Sequence, residues 1–369
     1  MSQLGVGLIG YGDIGPRYAR SIEACPGLVL RGVATRTPVA DVDPLNVEQL
    51  LNDPGIDLVV NLTPPQVHAA TTTQALRAGK HVYSEKPLAL SVADVDTLID
   101  LADQAGRQLA SAPATHLGPS AQTVRALIDQ GELGRLMGGS ATFVYAGPDL
   151  WHHNADRLFA HGAGPMWDIG VYAITQFVDW LGPVESVSAS GAAARSRRTI
   201  KAGPHANRSF DAEVPTHVAA LLRFAAGPAV TLTISFDSPS ARQSGLEVYG
   251  DRKAVALPGA PSFDGPVEVA HELGRWQGLE PRLTGWSDAL WALGVIDFAE
   301  SIACGRRART SAHAARHVVA VLSAIDAAMA SGETERVRVQ GVRAHPLTTG
   351  AIADNFGAML GHDEQRRAA

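Results

Sequence analysis

The sequence predicts an α/β unit followed by an α+β unit. Residues 1–115 read as a parallel sheet wound with helices. Residues 116–345 read as an open, mostly antiparallel sheet with helices on one face, and 346–369 as a C-terminal segment and tail. Three observations carry this. Short apolar runs alternate with helical periods from residue 4 to residue 106, the rhythm of strands joined by helical crossovers. The first run ends in a glycine-rich turn, Gly10-Tyr11-Gly12-Asp13-Ile14-Gly15. Past residue 130 the runs lengthen and crowd together, with turn signals such as Ala226-Gly227-Pro228 between them, as in antiparallel sheets.

Each element has a local reason. LGVGLI (4–9) is a buried strand, and IGPRYARSIEAC a helix that tolerates Pro16 in its first turn, where N–H groups have no intrahelical acceptor. LVLRGVAT (28–35) is the second strand, LNVEQLLND a short helix and IDLVVNLT (56–63) a buried strand. HAATTTQALRAG is a helix stopped at Gly79, and HVYSE the next strand. SVADVDTLIDLADQAG is a helix with Ser91 as its N-cap and Asp94 three residues on, close to a capping box. SAQTVRALIDQGELG leads as a helix into the strands LMGGSATFVYA, VESVSASGAA, THVAALLRFAAG, AVTLTISFDS and GLEVYG. Helices are predicted near 166–181, 287–303 and 311–330, and surface loops over 195–215 and 258–285.

Composition narrows the class. The chain is 46% hydrophobic and 18% charged with a net charge of −6, which suits a soluble globular protein and argues against nucleic acid or an anionic membrane as partner. No apolar run reaches the ~20 residues that span a bilayer. The N-terminus lacks a basic segment and a cleavage site, so it does not read as a signal peptide. Cys25 and Cys304 sit in apolar helical patterns and read as buried thiols of a reducing cytosol. The expected location is cytoplasmic.

The glycine turn lies between a strand and a helix, the context in which G-x-G-x-x-G binds a dinucleotide. Gly10 allows the tight turn, Gly12 lets the backbone approach a pyrophosphate, and Gly15 lets the helix pack closely. The pyrophosphate then meets the positive helix end. About 20 residues on, an acid normally binds the ribose of NAD. Thr35 and Arg36 stand there instead and suit the 2′-phosphate of NADP, while Asp41 and Asp43 remain alternatives for an NAD ribose.

Lys86, in Glu85-Lys86-Pro87 at the end of a strand, is one of only four lysines in a chain that otherwise uses arginine. Lysine can tune its pKa on burial and arginine cannot. Asp168 and Tyr172 are four residues apart and share a helical face. A lysine, a carboxylate and a phenol around one alcohol carbon form a proton-transfer set. In it Lys86 lowers the pKa of the alcohol and of Tyr172, and Tyr172 relays the proton. His152 and His153 in WHHNADRLF come just before that helix; His152 is a candidate for substrate hydroxyls. No third ligand at suitable spacing accompanies the pair, so no metal is expected.

The glycine turn, NLTPPQVH (61–68), GKHVYSEKPLAL (79–90) and GAGPMWDIGVYAI (162–174) occur in an order and spacing that resemble the glucose–fructose oxidoreductase/inositol dehydrogenase (Gfo/Idh/MocA) family of NAD(P)-dependent sugar oxidoreductases. The resemblance covers nearly the whole chain. It implies a Rossmann domain followed by an open antiparallel sheet, and Lys86 as the catalytic lysine, with a cis bond to Pro87. It makes Asp168 and Tyr172 the remaining catalytic positions. It also implies cofactor contacts along Tyr11, Asp13, Ile14, Thr63, Pro64, Pro65, His68, Glu85 and Lys86, with His68 shaping its loop rather than doing chemistry. Two departures stand out. Between strand two and IDLVVNLT the chain is about a helix short, so the sheet is expected to have lost a strand. At Ala114 relatives tend to carry an acid.

The expected activity is hydride transfer between NADP, or NAD, and a secondary alcohol of a sugar, cyclitol or glycoside. A dinucleotide-binding regulator and an oxidation-assisted lyase or glycosidase with a recycled cofactor are the alternatives. In the second sheet, Val218, Ala220 and Leu222 alternate with Ala219, Leu221 and Arg223, and Val230, Leu232 and Ile234 with Thr231 and Thr233. Both rows read as largely apolar, which predicts a homodimer or homotetramer joined through this sheet, as the resemblance also implies.

Overall fold

The structure, a computed structural model, describes residues 3–36, 43–259, 262–271, 273–280, 290–338 and 343. Asp41 lies outside the described residues. The first unit runs β1 (Leu4–Ile9), α1 (Gly15–Glu23), β2 (Leu28–Ala34), α2 (Val47–Asn52), β3 (Leu58–Asn61), α3 (His68–Arg77), β4 (His81–Ser84), α4 (Val92–Gln104) and β5 (Leu109–Ser111). The strands form a parallel sheet in the order β2-β1-β3-β4-β5. Its middle strands are covered on both faces, so β3 is buried along its whole length.

The missing strand is visible as a remnant. Beyond β2, among the described residues, only Leu45 pairs with Ala34, in a single parallel bridge. The six-residue α2 follows at once, capped by reciprocal bonds between Asn46 and Gln49. Lys80 turns inward here, its Nζ bonded to the carbonyl oxygens of Asp53 and Ile56 at 2.8 Å each.

After α5 (Pro119–Asp129) and β6 (Leu136–Val144) come α6 (Val171–Leu181), β7 (Val184–Ala192), β8 (Arg197–Thr199), β9 (Ser209–Asp211), β10 (His217–Phe224) and β11 (Ala229–Ser235). Then follow β12 (Gly245–Gly250), β13 (Ala254–Leu257), β14 (Val267–Ala270), β15 (Trp276–Leu279), α7 (Leu293–Cys304), α8 (Ala312–Ser331) and β16 (Glu335–Arg336). The large sheet has the order β15-β14-β13-β12-β6-β11-β10-β7-β16. It is antiparallel except where β6 lies parallel to β11. Val218, Ala220, Leu222, Val230, Leu232 and Ile234 are buried with α6 and α8 residues in the main core.

Several expectations change here. The two predicted loops contain strands, β8 and β9 in the first and β14 and β15 in the second. The helix α7 was expected with the second sheet, but Leu293, Val295, Ile296 and Phe298 pack into the core of the first unit beside Tyr18 and Tyr83. Cys25 is buried as expected, but Cys304, the last residue of α7, is exposed. The 20-residue α8 is long and apolar enough by composition to cross a membrane, which the sequence reading missed. It contributes Val318, Val319, Val321, Leu322 and Ile325 to the core instead.

The outward face of the large sheet is not an apolar row. Ser188, Leu221, Thr231, Ser140 and Glu247 lie side by side across it, and Ser190, Ala219, Thr233 and Thr142 form the adjacent rung. The expectation rested on two strands, and their neighbours contribute hydroxyls.

Candidate active site

The glycine turn is built as its sequence requires. Gly10 has φ +94°, and a Cβ there would come within 2.7 Å of the Leu62 carbonyl oxygen. A Cβ on Gly12 would meet nothing within 4 Å, which leaves that side open for a ligand to approach the backbone. Gly15 is close-packed, but against the Tyr11 ring rather than the strand: a Cβ on Gly15 would lie 2.9 Å from that ring. Ile14 caps α1 without a side-chain bond, and no acid lies in the first turn. An anionic pyrophosphate fits this end of the helix. Thr35 and the exposed Arg36 follow β2 directly, and Asp43 is exposed further along.

The second wall comes from the loop after β3. Buried Asn61 accepts from the Thr63 hydroxyl at 2.6 Å and its backbone N–H at 3.2 Å, and donates to the His68 carbonyl at 3.1 Å. This pins Thr63-Pro64-Pro65 along the cleft edge. His68 is buried, with Nδ1 at 2.7 Å from the Pro87 oxygen and Nε2 at 2.6 Å from the Thr63 oxygen. Glu85 turns inward, accepting from the Tyr18 hydroxyl at 2.6 Å and the Lys86 N–H at 3.1 Å. The Lys86–Pro87 bond is cis.

Lys86 Nζ donates to the Asp168 carboxylate at 2.8 Å and to its carbonyl oxygen at 2.7 Å, and lies 4.9 Å from the Tyr172 ring centre. The predicted single helix is divided at this point. Met166–Gly170 form a π-helical turn that carries Asp168, and α6 begins only at Val171. Such turns re-aim side chains and recur at functional sites. Both Asp168 and Tyr172 converge on the one ammonium.

Lys86 is a cation that pulls the Tyr172 pKa down, as the sequence reading has it, but burial outweighs that pull. Burial pulls the Lys86 ammonium toward neutrality, but Asp168 above all, then Tyr172 and Glu85, outweigh it and hold its pKa above the ordinary value. The pair with Asp168 favours the ammonium form of Lys86. Burial pushes the Tyr172 phenol up to about 12, and the lowering influence of Lys86 does not reverse this. A phenol held there keeps its proton near neutral pH and can donate a hydrogen bond.

A cavity of about 240 Å³ is bordered by Gly12, Asp13, Pro64, Pro65, Lys86, His152 and Asp168. It joins the glycine turn to the lysine cluster. Gln66, Asn154, Arg157 and Trp167 also line it and were missed by the sequence reading; the density of polar residues in HHNADR was the available signal. Ala114 is buried in the protein interior, beside Gly294.

Asp13 supplies the third group that the histidine pair lacked in sequence. Ligand atoms of Asp13, His152 and His153 lie within 4.8 Å of one another. His152 Nδ1 accepts the Asn154 N–H at 3.0 Å, which assigns the ring proton to Nε2, 3.3 Å from Asp13 Oδ2. A metal on Nε2 would move that proton to Nδ1 and break the backbone bond. The tautomer suits a hydrogen bond across the cleft. Burial lowers the His152 pKa, with Asp13 opposing, which favours this neutral form.

Residues 4–112 match the family model described as "Oxidoreductase family, NAD-binding Rossmann fold", and residues 121–256 the "GFO/IDH/MocA C-terminal domain". The chain belongs to the Gfo/Idh/MocA family. Among curated members of similar sequence is a 1,5-anhydro-D-fructose reductase of Ensifer adhaerens, 32% identical over 161 residues, 43% of this chain and 48% of that protein. Another is a dTDP-3,4-didehydro-2,6-dideoxy-alpha-D-glucose 3-reductase of Streptomyces violaceoruber, 33% identical over 185 residues, 46% and 52% of the two chains. This chain spans about half the length of the curated relatives it matches. Levoglucosan dehydrogenase in complex with NADH and L-sorbose shares the fold with a TM-score of 0.77 at 20% identity, over 91% of this chain and 99% of that one. Aldose-aldose oxidoreductase from Caulobacter crescentus does so with a TM-score of 0.74 at 22% identity, over 90% and 99%.

Proposed function

We propose that this protein transfers hydride between a nicotinamide dinucleotide and a secondary alcohol of a sugar, cyclitol or glycoside. The observation that carries this reading is the Lys86 ammonium, bonded to Asp168 at 2.8 Å and set over Tyr172, in a cavity that the glycine turn also borders. A nicotinamide dinucleotide, when bound, supplies the hydride acceptor or donor. Gly12 and the start of α1 would hold its pyrophosphate, and Pro64 and Pro65 line the same cavity. Lys86 donates a hydrogen bond to the substrate oxygen and stabilises negative charge developing there. In the oxidative direction the hydroxyl proton passes to the cluster, where Asp168, paired as a carboxylate, takes it up. In reduction the proton returns by the same route, while Lys86 and Tyr172 donate hydrogen bonds to the substrate oxygen. His152 and Asn154 offer polar contacts to further hydroxyls. The sugar-directed names of the two reductases above support this substrate class. Steady-state assays of sugars and inositols with each dinucleotide test it.

NADP is the preferred cofactor on this reading, because Thr35 and Arg36 follow β2 where an acid is usual. Arg36→Ala is expected to weaken NADP by about 1–3 kcal/mol and leave NAD nearly unchanged. Fluorescence titration with both dinucleotides measures this, and equal affinity of the parent protein for the two contradicts it.

The same reading includes a homo-oligomer that buries the outward face of the large sheet. That face carries Ala, Ser and Thr side chains beside Leu221 and Glu247, with Tyr249 exposed on it. Light scattering at micromolar concentration is expected to give a multiple of 38.7 kDa. A mass of one chain would show that this face is simply solvated.

A further inference from the structure

We propose that His68 is held as an imidazolium and that in this charged form it positions Lys86. The argument starts from what its two ring nitrogens face. Nδ1 lies 2.7 Å from the Pro87 carbonyl oxygen, and Nε2 lies 2.6 Å from the Thr63 carbonyl oxygen. A backbone carbonyl only accepts. A neutral imidazole has one N–H and one bare nitrogen, so either tautomer sets a lone pair against an oxygen lone pair at one contact. Only the imidazolium donates at both. Both distances sit at the short end of N–H···O bonds, where charge-assisted bonds are found.

The opposing influence is burial. His68 is 1% exposed, and burial outweighs the influences that raise its pKa, so that electrostatics alone would set it below the ordinary value. The Lys86 ammonium acts in the same direction, while the two carbonyls and the Glu85 carboxylate raise it. The geometry decides for the charged form, because no neutral tautomer satisfies both partners. Glu85, itself buried beside Tyr18, supplies the compensating charge.

The consequence is positional. Pro87 follows Lys86 directly, and Thr63 begins the Thr63-Pro64-Pro65 wall. One ring thus ties the lysine segment to the opposite edge of the cleft. Asn61 completes the set by bonding Thr63 and the His68 carbonyl. Loss of the charge removes one of the two ties and lets Lys86 shift. Misplacement of a reacting group by about 1 Å costs on the order of a hundredfold in rate.

Two measurements test this, and only the second rests on the proposed dehydrogenase activity. In the full chain labelled with ¹⁵N-histidine and ¹³C-carbonyl carbons, NMR identifies the His68 ring by couplings across its hydrogen bonds. Both ring nitrogens are expected to carry protons at neutral pH; one bare nitrogen there overturns the proposal, whatever the enzyme's substrate. In turnover, His68→Asn is expected to lower kcat about a hundredfold with dinucleotide Kd within about tenfold. The wild-type protein should also lose kcat at alkaline pH through a limb that the variant lacks. Near-normal kcat in His68→Asn with that limb intact overturns the positioning role. Should the variant fail to fold, the NMR measurement on the wild-type protein decides the charge and its alkaline kcat limb decides the role.

Discussion

Lys86→Ala is expected to lower kcat by about a thousandfold or more while leaving dinucleotide affinity within about tenfold. The lysine holds its proton against burial because Asp168 is 2.8 Å away. It lines the same cavity as Asp168, where the proposed reaction would develop alkoxide character. It is not part of the glycine turn, so the pyrophosphate contacts survive its loss. The variant leaves Asp168 without its cation, but that carboxylate is 23% exposed and water can solvate it. The fold should therefore persist, and circular dichroism checks this beside the kinetics. Turnover within tenfold of wild type removes Lys86 from the mechanism. Collapse of dinucleotide binding together with kcat would instead assign it to the cofactor.

Arg198→Met is expected to destabilise the protein by about 3–5 kcal/mol. Arg198 has a side-chain exposure of 1% and meets two carboxylates that are nearly as buried, Asp149 at 6% and Asp237 at 7%. It donates to Asp149 at 2.9 Å, to Asp237 and to the Phe236 carbonyl, and stacks 4.5 Å over the Phe159 ring. Methionine fills part of the volume but leaves both acids without their counter-ion. Asp237 retains bonds from Thr216 and Ala194, whereas Asp149 loses its ion-pair partner. Asp149 lies in the turn that delivers His152 to the cleft, since the His152 N–H bonds to Pro148. The substrate KM should rise along with the loss of stability. Urea denaturation measures the first effect, and a change under about 1 kcal/mol contradicts the account of this buried cluster.

Local chemistry made the first unit legible. A strand ending in Gly10 and a helix opening at Gly15 leave one way to build the turn, and β1 occupies the predicted run, Leu4–Ile9. The lysine cluster was legible because Lys86, Asp168 and Tyr172 sit in motifs with fixed spacing. What escaped depends on pairings distant in sequence. Nothing in Asp13 announces that it faces His152, 3.3 Å away across the cleft. Nothing in α7 says which core it joins, since its apolar surface suits either. The outward row of the large sheet looked apolar because β10 and β11 were read without the serines of β6 and β7. The π-helical turn at Asp168 has no periodic signature of its own, being one widened turn ahead of an ordinary helix. The charge states needed the partners as well: a lysine can be tuned down or locked up, and the Asp168 carboxylate decides.

The most direct test of the central claim is a panel of sugars, inositols and glycosides mixed with the protein and NADP or NAD, with the absorbance of reduced nicotinamide followed over time. The account predicts that at least one secondary alcohol reduces the dinucleotide catalytically. Tight dinucleotide binding with no reduction by any member of the panel would contradict it and favour a regulator that binds the dinucleotide without turning it over.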